Sequence, residues 1–357
     1  MAGQSGGSPQ ITIGKNPERS RNHNRRVVLD AVRQHGTLGR MHIARLTQLT
    51  PQAVANIVDE LVGENFLMET GRLRAGRGQP PIQFAVNPEG AATIGVEIAI
   101  GHMTIAVLDL TGQLRHKRVV PVSCTTLDRL IPIFAREVTA ARASFQSKLL
   151  GVGAVMPGPF EIDGMTSVGP TTLPGWSGVD AATVLSQACG EPVIVENDAT
   201  AAAVGERLFG AGHSISNFGM IYFGAGVGLG MIQDGAPYRG AFGNAGEIGH
   251  VVVAPGGRSC PCGQHGCLER YASLQALKEK LDGTGIACEG YEDVEALYRQ
   301  DHPLLREWIT EAALHLGPMI AMLENILDPE TIILGGALPD AVIEAIIAQM
   351  SGLPTSV

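Results

Sequence analysis

No run of about 18 apolar residues occurs in the 357-residue chain, so a bilayer-spanning helix is not expected. The first residues, MAGQSGGSPQITIGKNPERSRNHNRR, lack the apolar stretch of a secretory leader. Cysteine is scarce, with six residues, and Cys124, Cys189 and Cys288 stand alone. These three read as ordinary buried thiols. With no leader the chain is expected to be cytoplasmic, where thiols stay reduced and a tight cysteine cluster favours metal over disulfide. What is present suffices for a real core, with 45% hydrophobic and 17% charged residues. The length admits two or three domains. Residues 1–22 are polar and rich in Gly and Ser, so a disordered tail is expected there.

Charge is divided unevenly. Residues 1–90 carry 11 Lys and Arg against 7 Asp and Glu, a net of +4, whereas the whole chain is at −9 and the remainder therefore at −13. A basic front on an acidic body suggests that the front meets a polyanion.

Residues 23–88 have the pattern of a winged helix-turn-helix. NHNRRVVLDAVRQHG puts Val27, Val28, Ala31 and Val32 on one helical face and ends at Gly36. GRMHIARLTQL supplies Ile43, Ala44 and Leu46 for a short second helix. Thr50 then caps a third helix that opens with Pro51. Its apolar residues Val54, Ile57, Val58 and Leu61 recur at helical spacing and leave Gln52, Ala53 and Asn56 on the other side. Gln and Asn can bond an adenine edge through two hydrogen bonds, and recognition helices read bases with their first turns. FLMET and PIQFAV read as strands around GRLRAGRGQP, a wing whose Arg72, Arg74 and Arg77 would reach phosphates or the minor groove. The alternative is a small solvated domain that contacts protein. Double-stranded DNA is the expected partner.

From residue 91 strand-like and helix-like stretches alternate, which predicts an α/β fold of two lobes with ligands in the cleft between them. FGMIYFGAGVGLGMIQDG has strands on both flanks of Gly224, Gly226, Gly228 and Gly230, which disfavours a dinucleotide-binding turn. These glycines either cradle a phosphate or let the hairpin pack closely. Asp198, in VENDATAAA, stands where a strand gives way to a helix. It either accepts a proton from a substrate hydroxyl or caps the helix.

The densest chemistry is CPCGQHGC, residues 260–267, with His250 ten residues upstream. His250, Cys260, Cys262 and Cys267 make a four-coordinate nitrogen and sulfur set suited to structural Zn²⁺. A solvent-side thiol pair or a redox couple are the alternatives. The Cys-x-Cys spacing is tighter than that of the usual zinc finger.

The stretch GNAGEIGHVVVAPGGRSCPCGQHGCLERYAS closely resembles the signature of the ROK family of repressors, open reading frames and kinases. ENDATAAAVGE, FGAGVGLGMIQDGAPYRGAFG and ILGGAL match in the same order. The resemblance covers residues 91 to about 350, and with the winged helix it extends to about residue 23 and points to the sugar-responsive repressor branch. It implies an actin/hexokinase-like two-lobe domain, with lobes at 91–205 and 206–357. It also implies a sugar site at Asn197, Asp198, Glu247, His250 and Glu269. Asp198 takes the position of the kinase branch's catalytic base. His250 would bind zinc through one ring nitrogen and a sugar hydroxyl through the other, so the metal would shape the sugar loop rather than catalyse.

Two departures separate this chain from the kinases it resembles. Where they carry an Asp-x-Gly-Gly-Thr phosphate loop, this chain has VEIAIGHMT, with Glu97, Ala99, Ile100 and Gly101 at the key positions. Side chains there would crowd phosphates, so weak or absent kinase activity is expected. Thr172 stands where the family usually has a sugar-contacting Asn. Family members also usually continue beyond GGAL for longer than this chain does, so a shortened carboxyl terminus is expected. The expectation is a dimeric or dimer-of-dimers repressor of carbohydrate genes, controlled by a monosaccharide or sugar phosphate. The alternative is an ATP-dependent sugar kinase with a DNA-binding head.

Overall fold

A computed structural model describes residues 17–72, 81–99, 101–157, 173, 175, 176, 178–241, 243–286, 288 and 290–350, with the side chains of 17–20 excepted. The chain divides into two compact units. The first holds residues up to 93 together with 108–115 and 145–150, and the second holds the rest.

The first unit opens with α1 (Pro17–His35), β1 (Leu38–Gly39), α2 (Arg40–Thr47) and α3 (Pro51–Gly63), followed by β2 (Leu67–Arg72) and β3 (Ile82–Val86). The strands form an antiparallel sheet in the order β1-β3-β2. Val28, Val32, Ile43, Val54, Val58, Leu61, Leu67 and Phe84 bury into one core. That is the packing the helical spacing predicts, with exceptions. Val27 and Ala31 are only partly buried, and Leu46 is 39% exposed because it falls beside rather than on the buried stripe of α2. Helix α1 also starts six residues inside the segment expected to be a tail. Its early turns are held by ion pairs from Arg21 to Glu60 (2.6 Å) and from Arg25 to Glu64 (2.6 Å). These link α1 to the end of α3, a long-range pairing that composition does not reveal.

A five-stranded sheet runs in the order β6-β5-β4-β7-β8, from β4 (Ala91–Ala99), β5 (Gly101–Asp109), β6 (Leu114–Val122), β7 (Lys148–Val155) and β8 (Val193–Glu196). Strands β7 and β8 are parallel. Helices α4 (Leu127–Ala143, with Pro132 inside) and α5 (Ala181–Cys189) pack on each other. The turn at Thr111-Gly112 is built around buried Asp109. Its carboxylate accepts from the Thr111 amide (2.8 Å) and hydroxyl (2.6 Å), the Gln113 amide (3.1 Å) and Arg115 Nε (2.6 Å). Burial alone would raise the Asp109 pKa, but the Thr111 and Arg115 hydrogen bonds outweigh it and hold the group below its ordinary value.

The second sheet, β11-β10-β9-β12, comprises β9 (Phe218–Phe223), β10 (Val227–Gln233), β11 (Ala236–Pro237) and β12 (Thr331–Gly336). Strand β9 pairs antiparallel with β10 and parallel with β12. Helix α6 (Asp198–Phe209) packs on β9 and β10. A boundary at 205 therefore falls inside a helix that lies on the second sheet. Short α7 (Glu269–Ala272), α8 (Leu274–Leu281), α9 (Tyr291–Arg299), the 25-residue α10 (Pro303–Leu327) and α11 (Asp340–Gln349) build a second large core with Trp308 among its residues. Among the described residues no helix is long and apolar enough to cross a membrane.

Candidate functional site

Helix α3 is capped as its sequence predicts. The Ala53 amide donates to Thr50 Oγ1 at 3.2 Å, and Pro51 occupies the first turn. Burying Val54, Ile57, Val58 and Leu61 turns Gln52 and Asn56 outward. Gln52 Nε2 donates to Asn56 Oδ1 at 3.0 Å. That leaves the Gln52 carbonyl and the Asn56 amino group to offer one acceptor and one donor. Arg72 is exposed at the end of β2. Arg74 and Arg77 lie outside the described residues, as do Ile100 and Thr172.

Within the second unit a cavity of about 270 Å³ is lined by Asn197, Asp198, Gly226, Glu247, His250 and Glu269, and also by Pro157, Ala245 and Pro261. All five residues assigned to a sugar site by resemblance thus reach one cavity. The two roles open to Asp198 separate here. Asn197 is the helix cap, since its Oδ1 accepts from the Thr200 amide at 2.6 Å. Asp198 Oδ1 accepts from the adjacent Ala199 amide (2.8 Å) rather than from the third residue of the helix. Burial raises the Asp198 pKa, and the charge of Glu97 adds to the rise. Burial also raises the pKa of Glu247, against the pull of His250 and with the push of Asp198 and Glu269. Glu97 and Tyr222 share this environment: burial, Glu97 and Asp198 all push the Tyr222 phenol up. Sequence reasoning missed Tyr222 and Pro261. The only signal was their position, one beside the glycine turn and the other between two cysteines.

The glycine turn divides by role. A Cβ on Gly224 would come within 3.3 Å of Asp198 Oδ2, and one on Gly226 within 3.0 Å of Glu269 Oε2. These two open toward the carboxylates. Gly228 and Gly230 serve packing: a Cβ there would meet the Ala199 side chain at 2.8 Å and the Ala199 carbonyl at 2.1 Å. Helix α6 can lie this close to β10 only because β10 has no side chain there.

His250 closes a single 3₁₀ turn (Ile248–His250), and the cysteines follow on a tight loop. The Cys260 amide donates to Gln264 O (2.9 Å) and the Gly263 amide to Cys260 O (2.9 Å). Gly266 adopts a φ of +86°, where a Cβ would strike the Ala254 carbonyl at 1.7 Å. One ligand atom from each of His250, Cys260, Cys262 and Cys267 lies within 4.8 Å of all the others. His250 Nδ1 is 3.6 Å from Cys260 Sγ, and Cys262 Sγ is 3.6 Å from Cys267 Sγ. A tetrahedral ion with bonds of about 2.0–2.3 Å places its ligands roughly 3.5–3.8 Å apart, so the donor set fits a metal. Burial pushes the Cys260 and Cys267 thiols up. Cys262 is also desolvated, but the Gln264 amide and the neighbouring thiols hold it low. Cys260 donates to Glu269 Oε1 at 3.1 Å, so the cluster directly adjoins the cavity. Of the isolated cysteines, Cys288 is buried, but Cys124 is exposed beside Thr126 Oγ1 (3.2 Å), which corrects the buried-thiol expectation for that residue. It follows the end of β6, in an exposed pair with Ser123, before the chain turns inward at buried Thr125.

Comparison with known proteins extends the geometry. The sequence pattern of the ROK family matches residues 93–351. The xylose repressor of Caldicellulosiruptor bescii is 28% identical over 330 residues, covering 87% of this chain and 82% of the relative. The transcriptional dual regulator NagC of Escherichia coli is 26% identical over 334 residues, covering 89% and 81%. A solved ROK family transcriptional regulator, described as a homologue of the Escherichia coli MLC protein, superposes with a TM-score of 0.75 at 25% identity, over 93% of this chain and 86% of that one. The ROK glucokinase of Streptomyces griseus, solved with glucose and AMPPNP, gives a TM-score of 0.62 at 28% identity, over 74% and 92%. The regulator likeness thus takes in more of the chain than the kinase likeness. From its two-lobe α/β fold and the sequence pattern across residues 93–351, the chain belongs to the ROK family and is related to its sugar-responsive transcriptional regulators.

Proposed function

We propose that this chain is a DNA-binding transcriptional repressor of carbohydrate genes, released from or retained on its operator by a sugar in the Asp198 cavity. One observation carries this reading. A helix presenting Gln52 and Asn56 to solvent and a carboxylate-lined cavity of monosaccharide size occur on one chain. Thr50, Gln52, Ala53 and Asn56 would meet base edges, with Arg72, Arg74 and Arg77 on phosphates or in the minor groove. A two-fold dimer would match a palindromic operator.

The cavity lining favours an uncharged sugar over a phosphorylated one. Asp198, Glu247 and Glu269 face it, and among the described lining residues there is neither lysine nor arginine. Carboxylates accept hydrogen bonds from hydroxyls but repel a phosphate. His250, Cys260, Cys262 and Cys267 would hold Zn²⁺, which would fix the loop that leads into Glu269 and supply no chemistry to a reaction. Kinase chemistry is disfavoured by the first hairpin. Strand β4 runs through Ala99 and β5 begins at Gly101, so the described residues here are extended strand rather than an open glycine loop for phosphates.

The test is capture of genomic fragments by the purified chain, repeated with a panel of monosaccharides and their 6-phosphates. Specific fragments whose affinity shifts about 5–150-fold with one unphosphorylated sugar are the expected result. Specific capture that no sugar alters would reject the sugar-controlled reading. In the same assay Arg77→Ala should weaken binding and reduce the salt slope by about one.

A further inference from the structure

We propose that Arg258 is the positioning residue of the metal loop, tying it to α7 and α10 so that the ligands are held before a metal arrives. This rests on the metal reading above. Arg258 lies two residues before Cys260 and is not itself a ligand.

Its amide, carbonyl and both terminal guanidinium nitrogens are engaged. Its amide donates to Tyr271 Oη at 2.9 Å, and its carbonyl accepts from the Gly266 amide at 2.8 Å. Its Nη1 donates to the Arg270 carbonyl at 2.8 Å and its Nη2 to Glu311 Oε1 at 2.7 Å. The guanidinium carbon stands 4.7 Å from the centre of the Tyr271 ring. On α10 the Tyr271 ring packs against His315, with centroids 4.4 Å apart. Glu311 and His315 are one helical turn apart, so Arg258 and Tyr271 grip one stretch of α10.

The consequence is geometric. Three thiols on an eight-residue loop converge only if that loop is ordered. Within itself the loop has short turns, but no apolar residue large enough to anchor it. Backbone pairing with residues 252–254 holds one side of it, and Arg258 adds a side-chain anchor on the other. Its carbonyl joins the segment entering Cys260 to Gly266, and its guanidinium ties that segment to α10, whose Trp308, Ile309, Ala312 and Ala313 are buried. A loop already held pays less conformational entropy when metal binds. The same side chain bonds the carbonyl of Arg270, next to Glu269, and so fixes the position of a cavity carboxylate. Only a planar fork can bond two acceptors at set angles and lie over a ring at once. Lysine gathers its three donors on one nitrogen, so it cannot hold both acceptors at the spacing of the fork.

The experiment compares full-length wild type, Arg258→Met, Arg258→Lys and Glu311→Gln. Zinc-loaded protein is mixed with a chromophoric chelator and the release rate recorded, alongside urea midpoints and amide exchange of the metal-free chain. Release from Arg258→Met should be about 10–100-fold faster. Arg258→Lys should not restore the wild-type rate, and Glu311→Gln, which keeps the acceptor, should fall between. In metal-free protein the Gly266 and Cys260 amides should exchange faster in Arg258→Met while those of α10 do not. Equal release rates in all four proteins would overturn the proposal, as would full rescue by lysine. A lowered urea midpoint with an unchanged release rate would overturn it too, since that is what a general packing role produces. If Arg258→Met does not fold, the Glu311→Gln rate decides. A wild type that takes up no zinc would reject the metal reading itself, and this inference with it.

Discussion

Helix α3 and the cavity beside Asp198 both present polar side chains, but they are held in place by different means. The helix carries its own instructions. Thr50 caps it, Pro51 starts it, and four apolar residues within eight positions decide which way Gln52 and Asn56 point. The cavity has no such local source. Asp198 starts α6, Gly226 lies between β9 and β10, Glu247 precedes a 3₁₀ turn and Glu269 starts α7. They face one cavity only because segments distant in sequence come together. The two surfaces should therefore fail differently, the helix by small graded losses and the cavity by collapse of a packed arrangement.

The strongest break should come at the cavity's metal loop. Cys262→Ser is expected to weaken zinc binding by more than about 100-fold and to abolish any sugar response. Metal content after dialysis, with a sugar titration, checks this, and the DNA binding proposed for α3 should be unchanged. Next is Gly230→Ala. The added methyl must displace the Ala199 carbonyl, so α6 and Asp198 shift, at a cost of at least about 2 kcal/mol by urea unfolding. An unchanged midpoint would mean that α6 does not lie on β10 as described.

At the helix, Thr50→Ala should cost about 1 kcal/mol by removing one cap, with a proportionate loss of DNA affinity and an unaltered cavity. The most discriminating change is Asp198→Asn. The native carboxylate has a raised pKa because it is desolvated, so it destabilises the fold at any pH where it is forced to ionise. That penalty is absent below the unfolded value of about 3.9 and complete above the folded value. Asp198→Asn should therefore stabilise the chain at pH 7, with the gain shrinking toward about pH 4, while sugar response is lost. A variant less stable at pH 7 than at pH 4, relative to wild type, would reverse the sign of this argument.

The regions differed equally in legibility. Helical spacing identified Val54, Val58 and Leu61 as core, because a stripe of one face needs only local periodicity. It misplaced Leu46, one position off the stripe, since α2 is too short for its period to fix the face. It also missed the start of α1 at Pro17, which depends on Arg21 and Arg25 reaching α3. In the glycine turn the close-packing reading describes two of the four glycines. Gly228 and Gly230 make room for α6, and Gly224 and Gly226 face the carboxylates. Nothing in GAGVGLG separates them, because the difference lies in what approaches from elsewhere in the chain.

What the sequence determined by itself was therefore whatever depends on near neighbours: the capped helix, its outward face, the strand–glycine–strand hairpin and a donor set chemically fit for a metal. What only the tertiary structure decided was which groups meet. Asn197 caps so that Asp198 need not, Glu269 touches Cys260, and Arg258 reaches Glu311 across 53 positions. Periodicity and spacing describe one segment at a time. Burial, the shifts it imposes on Asp198 and Glu247, and the shape of the cavity arise only when distant segments exclude water together.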